Sequence, residues 1–147
     1  MRWDKENQLS SAQDFTGGAT VSTNSYKKQT AAQDISIGRR MAILIYITTA
    51  AGSGSTHVFD AIQADNAALS TNKEVIGSIT KAAAVLTVGS FHIIPIPQGV
   101  MTRQYLGYQN TATGGTTTVS CDAYLVPEDE IPVWKDFPKV VNSAVPS

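Results

Sequence analysis

The sequence predicts an all-β fold, a sandwich or a closed barrel, from three observations. Short apolar runs alternate with turns rich in Gly, Ser, Asn and Asp through most of the 147 residues. Alanine, threonine and serine are the commonest residues, whereas leucine, glutamate and lysine, which build surface helices, are scarce. No segment sustains apolar residues at three-to-four spacing over more than two helical turns.

The first predicted strands precede residue 50. Residues 20–27 form one strand, and a short piece surrounds Ile35 and Ile37. The run MAILIYITT at 41–49 is followed by the turn AAGSGST. A short apolar run closed by a Gly/Ser turn is typical of a buried strand, so we expect 41–49 at the centre of a sheet.

The middle of the chain predicts three more strands. Residues 57–64 and 74–80 are separated by a polar loop at 65–73, where Asn and Asp favour turns and leave room for one helical turn. In 90–97 (SFHIIPIP), His92, Ile94 and Ile96 alternate with Phe91, Ile93 and Pro95. Because proline donates no ladder hydrogen bond, this strand must lie at a sheet edge or stop pairing near Ile94.

The last two predicted strands, 103–110 and 116–126, flank the sequence TATGG and are interpreted as a hairpin. In the second strand, Val119, Cys121, Ala123 and Leu125 share one face, which makes Cys121 a small core residue. The total of seven or eight strands separated by turns fits a sandwich or barrel.

The two ends of the chain depart from this pattern, which predicts an N-terminal segment at 1–8, a β domain at 9–126 and an arm at 127–147. Prolines at 127, 132, 138 and 146 prevent regular pairing in the arm. Its apolar residues nevertheless require burial, since a disordered tail is usually poor in them. We expect the arm to pack on its own domain or on a neighbouring subunit, and the sequence leaves both open.

Composition excludes several function classes. Eleven basic and twelve acidic residues give a charge of −1, which provides no positive field for nucleic acid. A single cysteine permits neither an intrachain disulfide nor a thiolate zinc cluster. The charged N-terminus does not resemble a signal peptide, and no apolar run approaches membrane-spanning length, so we expect no membrane partner.

The motifs predict neither an enzyme nor a cofactor or metal site. His57 and His92 lack HxH or HExxH spacing and are interpreted as strand-surface or interface histidines. The Gly-rich stretches GSGST, TGGAT and TGGT lack a nucleophile elbow or a phosphate-loop ending, so they are turns. Asp60, Asp65 and Asn66 lack the EF-hand pattern and are assigned capping and turn roles, and the acidic run at 128–130 is solvated or faces a basic surface of another subunit.

The order of several short segments resembles the Bordetella-phage-type capsid cement protein family. Each piece alone is generic, so the resemblance rests on their succession over most of residues 9–126. The pieces are SAQD (11–14), VSTNSY (21–26), DISIG (34–38), the strand from Met41, GST (54–56), 59–65, LST (69–71), IGSI (76–79), IPIP (94–97), RQYLGY (103–108) and 116–126.

The resemblance implies a jelly-roll-like antiparallel β-sandwich with extended terminal segments and no catalytic residue. It further implies a virion protein, made in the host cytoplasm, that sits on the outside of an icosahedral phage head and bridges major capsid protein subunits. A homo-oligomer follows, with a trimer preferred over a dimer. The roughly twenty residues after the last strand depart from the family pattern.

We expect the two terminal segments to make the subunit or capsid contacts, because aromatic side chains dominate interface energetics. The predicted interface residues are Trp3, Ile131, Val133, Trp134, Phe137 and Val140. Two other classes stay open. A carbohydrate- or receptor-binding module could use Tyr105, Tyr108 and Tyr124 as a platform, and a hydrolase could occupy a jelly-roll or cupin-like scaffold.

Overall fold

Two antiparallel sheets pack face to face in the computed structural model, which describes residues 8–16, 18–28 and 40–127. Within these residues the strands are β1 (Gln8–Thr16), β2 (Gly18–Val21), β3 (Tyr26–Lys27), β4 (Met41–Thr49), β5 (Thr56–Ala64), β6 (Glu74–Ala82), β7 (Phe91–Ile96), β8 (Tyr105–Thr113) and β9 (Thr118–Pro127). One 3₁₀ turn, Ala83–Val85, follows β6. The prediction of an all-β sandwich is confirmed.

The strand order is that of a jelly roll. The four-stranded sheet runs β1-β9-β4-β7, and the five-stranded sheet runs β2-β8-β5-β6 with β3 also paired to β8. The antiparallel pairs are nested, so that β1 meets β9, β2 and β3 meet β8, β4 meets β7, and β5 meets β6. Along the chain, β1, β4, β7 and β9 enter the four-stranded sheet, and β2, β3, β5, β6 and β8 enter the other.

The hydrophobic core lies between the sheets. Ile43, Ile45 and Ile47 of β4 face Phe59 and Tyr108 of the other sheet, and all five side chains are fully buried. Phe15 and Tyr108 pack with ring centroids 5.6 Å apart. The predicted inward face of the last strand is confirmed, because Val119, Cys121, Ala123 and Leu125 all belong to this core.

Strand β7 lies at a sheet edge, as its prolines predict. It pairs with β4 from Phe91 through Ile96, so pairing continues past Ile94. Its burial alternates as predicted, with His92, Ile94 and Ile96 buried and Ile93 exposed. Proline is tolerated at a sheet edge, because no further strand pairs with β7 in the described part of the chain.

Strand β1 is not among the predicted strands. Its register against β9 shifts between Gln8 and Ser10 and again between Ser10 and Gln13, and Ala12 has a φ of 47°. These bulges break the period-two alternation by which a strand is recognised. Leu9, Ser10 and Phe15 are all buried.

Two other predictions are wrong in detail. The single strand predicted at 20–27 is two strands, β2 and β3, separated by a bend at 22–25. The predicted hairpin is a crossing between sheets, because β8 pairs with β5 whereas β9 pairs with β1 and β4. The turn after β8 packs instead against the turn after β4, where the Thr116 amide donates to the Ser53 carbonyl at 3.0 Å.

The predicted loop at 65–73 is confirmed and folds back on the five-stranded sheet. Leu69, with a φ of 57°, is buried against Ile62 and Ala64 on that sheet's outer face. Gly107 lies beneath it, and a Cβ there would collide with the Leu69 side chain and approach Ser22 Oγ to 2.8 Å. Glycine at this position therefore permits the loop to close on the sheet.

The predicted strand around Ile35 and Ile37 lies outside the described residues. So do most of the predicted N-terminal segment at 1–8 and all but the first residue of the arm at 127–147.

Candidate functional site

Part of the outer face of the four-stranded sheet, over β4, β7 and the end of β9, is apolar, although it points away from the sandwich core. Asp122, opposite Tyr46, and Gln8, opposite Tyr124, are polar residues at its border. Antiparallel register places Leu44 opposite Ile93 of β7 and opposite Tyr124 of β9. Since directly opposed residues share a face, these side chains form one continuous surface. We call it the outer apolar face; its members are Ala42, Leu44, Tyr46, Phe91, Ile93, Pro95, Tyr124 and Val126.

Burial across the outer apolar face is uneven. Ala42, Leu44 and Val126 are 0 % exposed, and Tyr124 is 7 % exposed. Ile93, directly opposite Leu44 at the sheet edge, is 38 % exposed. The face is therefore closed over β4 and β9 and open along β7.

The outer face of the five-stranded sheet differs in character. Asp60 accepts a hydrogen bond from Gln109 Nε2 at 3.1 Å, and Lys73 Nζ donates to Gln109 Oε1 at 2.9 Å. Ser78 and Thr80 of the edge strand β6 are exposed. This part of the face is polar, as is usual for a solvated sheet face. The same face also carries the buried apolar cluster of Ile62, Ala64 and Leu69 beneath the loop at 65–73.

Both histidines are buried, so their interpretation as strand-surface residues is wrong. His57 is 0 % exposed, with Ser55 Oγ 3.0 Å from Nε2 and the Asn110 side-chain amide 3.1 Å from Nδ1. His92 faces Ile45 on the inner side of β4, and Ser90 Oγ lies 3.0 Å from its Nε2. The alternation of residues in this strand correctly predicts that His92 shares a face with Ile94 and Ile96. It does not predict that this face points into the sandwich core.

We expect His92 to make the protein less stable as pH falls. Burial and the nearby Lys81 ammonium lower the pKa of His92 below its ordinary value. The unfolded chain then binds a proton more readily than the folded protein, so this contribution is complete above a pH of about 6.5 and declines below it. Urea unfolding measured above and below this pH should show that His92→Gln loses less free energy of unfolding on acidification than the parent protein. Parallel dependence of the free energy of unfolding on pH in the two proteins would contradict the expectation.

A buried polar cluster joins the two sheets. The hydroxyls of Ser10 and Tyr108 are 2.6 Å apart, and Tyr108 OH lies 3.2 Å from Cys121 Sγ. Ser10 Oγ also donates to the Cys121 carbonyl at 3.1 Å. Burial raises the pKa of the Cys121 thiol to about 12, which keeps it protonated and weakly nucleophilic. The cluster therefore fits a structural role rather than nucleophilic catalysis.

The Cys121 thiol should be inaccessible in the folded protein. It is 0 % exposed and faces the core, so a disulfide reagent such as Ellman's should react with it only after unfolding. The measurement compares the thiol titre in buffer with that in guanidinium, where one equivalent is expected. Rapid stoichiometric reaction in buffer would contradict this burial.

The three tyrosines predicted as a possible sugar-binding platform do not come together. Tyr108 is buried in the core, and Tyr124 belongs to the outer apolar face of the opposite sheet. Tyr105 lies near Ile62 and Leu69 on the outside of the five-stranded sheet, with Lys27 Nζ 6.0 Å from its ring centre. Such a platform is therefore not formed by these residues.

Of the three side chains predicted to cap turns, Asp65 and Asn66 do so, whereas the prediction is wrong for Asp60, which lies within β5 and accepts a hydrogen bond from Gln109. Asn66 Oδ1 accepts from the amides of Ser70 and Thr71, each at 3.0 Å. Asp65 accepts from Asn72 at 2.7 Å and from Arg103, and these contacts lower the pKa of Asp65.

Arg103 extends this cluster to a third element, because its Nε donates to Glu74 Oε1 at 2.8 Å. Gln63 is buried beside it and accepts from the amides of Thr102 and Arg103. The cluster connects the loop before β8 to strands β5 and β6. Its charged and polar side chains form hydrogen bonds and ion pairs with one another.

No cluster of three or more His, Cys, Asp or Glu side chains suited to a metal ion occurs among residues 8–16, 18–28 and 40–127. The same part of the chain contains no helix long and apolar enough to cross a membrane.

The predicted interface residues, Trp3, Ile131, Val133, Trp134, Phe137 and Val140, lie outside the described residues. The residues that sequence reasoning missed are those of the outer apolar face. Their signal was available in β4, where MAILIYI is apolar at both odd and even positions, whereas a strand with one solvated face alternates.

Comparison with known proteins identifies no family. No protein-family model matches the chain, and no curated protein matches it. Among solved structures, the chain is similar to the crystal structure of PirA at 12 % sequence identity and a TM-score of 0.42. The match covers 85 % of this chain and 98 % of that one.

Proposed function

We propose that this protein is a non-catalytic structural subunit, a capsid cement protein that binds the outside of a phage head and bridges major capsid protein subunits. The observation that carries the proposal is the outer apolar face. Apolar side chains on the outer side of a sheet favour burial against a partner. The exposed margin of this face, along Phe91 and Ile93, is a surface for adhesion rather than a pocket for a substrate.

Two further observations support this function. The ordered series of short motifs resembles the capsid cement family, for which a jelly-roll sandwich is expected. In addition, the side chains that could act as a nucleophile, a base or a charged ligand contact make internal contacts instead. They are Cys121, His57 and Arg103. A subunit on a symmetric lattice gains adhesion from many modest contacts and requires no reactive centre.

A binding experiment with phage heads tests this proposal. Heads that lack the protein are prepared from the major capsid protein of the phage that encodes it, mixed with the purified full chain, and sedimented. We expect saturable binding at a fixed ratio to the capsid protein and a higher temperature of head rupture. An unrelated β-sandwich protein of similar size serves as the control. Absence of co-sedimentation at saturating concentration would reject the function.

The oligomeric state is part of the same proposal. We propose a homo-oligomer, with a trimer preferred over a dimer, because closed symmetry lets one subunit surface contact equivalent capsid sites. Light scattering of the free full chain measures the mass directly. A monomer at all concentrations would remove this element of the proposal and leave capsid binding to be judged by sedimentation.

A further inference from the structure

We propose that acid opens the connection between β6 and β7, residues 83–90, together with the first residues of β7, while the rest of the sandwich stays folded. The side chain that senses the acid is His92. This inference goes beyond the proposed function and does not depend on it. It assigns the proton to one local opening, whereas the stability effect expected of His92 concerns complete unfolding.

The connections that precede β5 and β7 end in the same Ser-x-His anchor. Ser55 Oγ donates to the Gly52 carbonyl at 2.6 Å, and Ser90 Oγ donates to the Thr87 carbonyl at 2.6 Å. In both anchors, Nε2 of the histidine two residues further on lies 3.0 Å from the serine oxygen. A serine hydroxyl has one proton, which the carbonyl already receives, so each Nε2 carries a proton and donates it. Nδ1 is therefore the atom that titrates in both rings.

The two anchors differ in how they accommodate a second proton on the ring. At His57, the side-chain amide of Asn110 places Nδ2 3.1 Å and Oδ1 3.3 Å from Nδ1. This amide can donate to the neutral ring and, after turning over, accept from the charged one. At His92, burial lowers the pKa, the Lys81 ammonium lowers it further, and a hydrogen bond to the Val85 carbonyl raises it by less. We therefore expect acid to act at the second anchor.

The charged groups around the His92 ring are basic in the described part of the chain. β7 packs against β4, β5 and β6, and β4 presents apolar side chains on its inner side. β5 and β6 present His57 and Lys81, which lie opposite each other. The carboxylates of the same strands lie elsewhere, Asp60 on the outer face and Glu74 at the other end of β6. A proton on His92 therefore adds a cation that no nearby anion offsets, and opening relieves this repulsion by hydrating the ring.

The connection is held closed by contacts that a local opening can break. β7 is an edge strand that pairs with β4 alone among the described strands. Two backbone hydrogen bonds join its start to β4, from the Gly89 amide to the Ile47 carbonyl at 2.9 Å and from the Ile47 amide to the Ser90 carbonyl at 3.0 Å. Val88, on the connection, is 64 % exposed. Weakly anchored segments open at a lower free energy than the core, and this opening withdraws the buried Leu86, so acid exposes apolar surface.

The two forms differ in their affinity for the proton. In the open form the ring is hydrated and titrates near its ordinary pKa of about 6.5, whereas the closed form holds the pKa of His92 below that value. The open form therefore binds the proton more tightly. The ratio of open to closed protein is constant above a pH of about 6.5, and it rises by up to about tenfold per pH unit as pH falls between the two pKa values.

Amide hydrogen exchange in the full chain, followed by NMR, tests this device. The protection factor compares each amide with an unfolded chain at the same pH, which removes the intrinsic pH dependence of exchange. We expect the protection of the Gly89 and Ile47 amides to fall several-fold between about pH 7.5 and about pH 5, and to stay constant in His92→Gln. The Gly52 and Thr116 amides, which close two other connections at this end, are the internal control and should not change.

Three results would overturn the proposal. An equal fall in His92→Gln would assign the effect to another group, an equal fall at Gly52 and Thr116 would indicate opening of the whole end, and constant protection in the parent would exclude the acid opening. NMR titration of the His92 ring in the parent tests the same device without a variant. A pKa at or above that of an exposed histidine would reject it. Lys81→Gln should raise the measured pKa, and no rise would remove the cationic repulsion on which the proposal rests.

Discussion

Replacing Leu44 with aspartate should destabilise the protein by about 4 kcal/mol or more, although Leu44 lies on the outside of a two-sheet sandwich. Leu44 is 0 % exposed and contacts Tyr124 in the outer apolar cluster. The substitution removes a buried hydrocarbon side chain and places a carboxylate where water does not reach. Urea unfolding followed by circular dichroism measures the loss.

Ile93→Asp is the matched control for this substitution. Ile93 lies directly opposite Leu44 on the same face but is 38 % exposed. Its carboxylate can remain hydrated, so we expect a loss of only about 1 kcal/mol. Equal small losses at both positions would mean that the outer face is open to water, which would contradict its burial.

Much of the sandwich is predictable because burial leaves a clear pattern in the sequence. The edge position of β7 follows from Pro95, and the inward face of β9 follows from alternation at Val119, Cys121 and Ala123. Both inferences use one strand at a time and depend only on backbone donors and side-chain period. Such local constraints persist whichever strands become neighbours.

The predictions that fail are those that depend on which strands pair with each other. A Gly-containing turn between two strands suits a hairpin, but it equally suits a chain that crosses from one sheet to the other, as it does between β8 and β9. In β1, bulges conceal the alternation of Leu9 and Phe15. The residues of a turn do not determine which strand becomes the neighbour of the strand that follows it.

The candidate surface illustrates a different limit. The sequence predicts β4 as a central strand, which the structure confirms, but it does not predict the buried outer face of that sheet. Five of its eight residues come from β7 and β9 and share the face only through the register of these strands: Phe91, Ile93, Pro95, Tyr124 and Val126. A surface shared by three strands requires the topology before it can be recognised.

Gly77 lies where the two sheets approach each other closely, at the edge where β6 lies next to β7. Gly77 pairs with the core residue Ala61, so a side chain at position 77 would point inward. An added Cβ would collide with the carbonyl oxygen of Pro95 and lie 3.4 Å from Ile94 Cγ2. The colliding atom belongs to the backbone of the opposite sheet and cannot rotate away as a flexible side chain could.

Gly77→Val should therefore destabilise the protein by about 3 kcal/mol through overpacking. Strand propensity alone predicts the opposite sign, because valine is favoured over glycine in strands by up to about 1 kcal/mol. Ser78→Val is the matched control, since Ser78 is exposed on the other side of the same strand and pairs with Asp60. Chemical unfolding should find Ser78→Val neutral or slightly stabilised, and a comparable gain for Gly77→Val would show that the sheet edges do not approach as closely as Gly77 and Pro95 require.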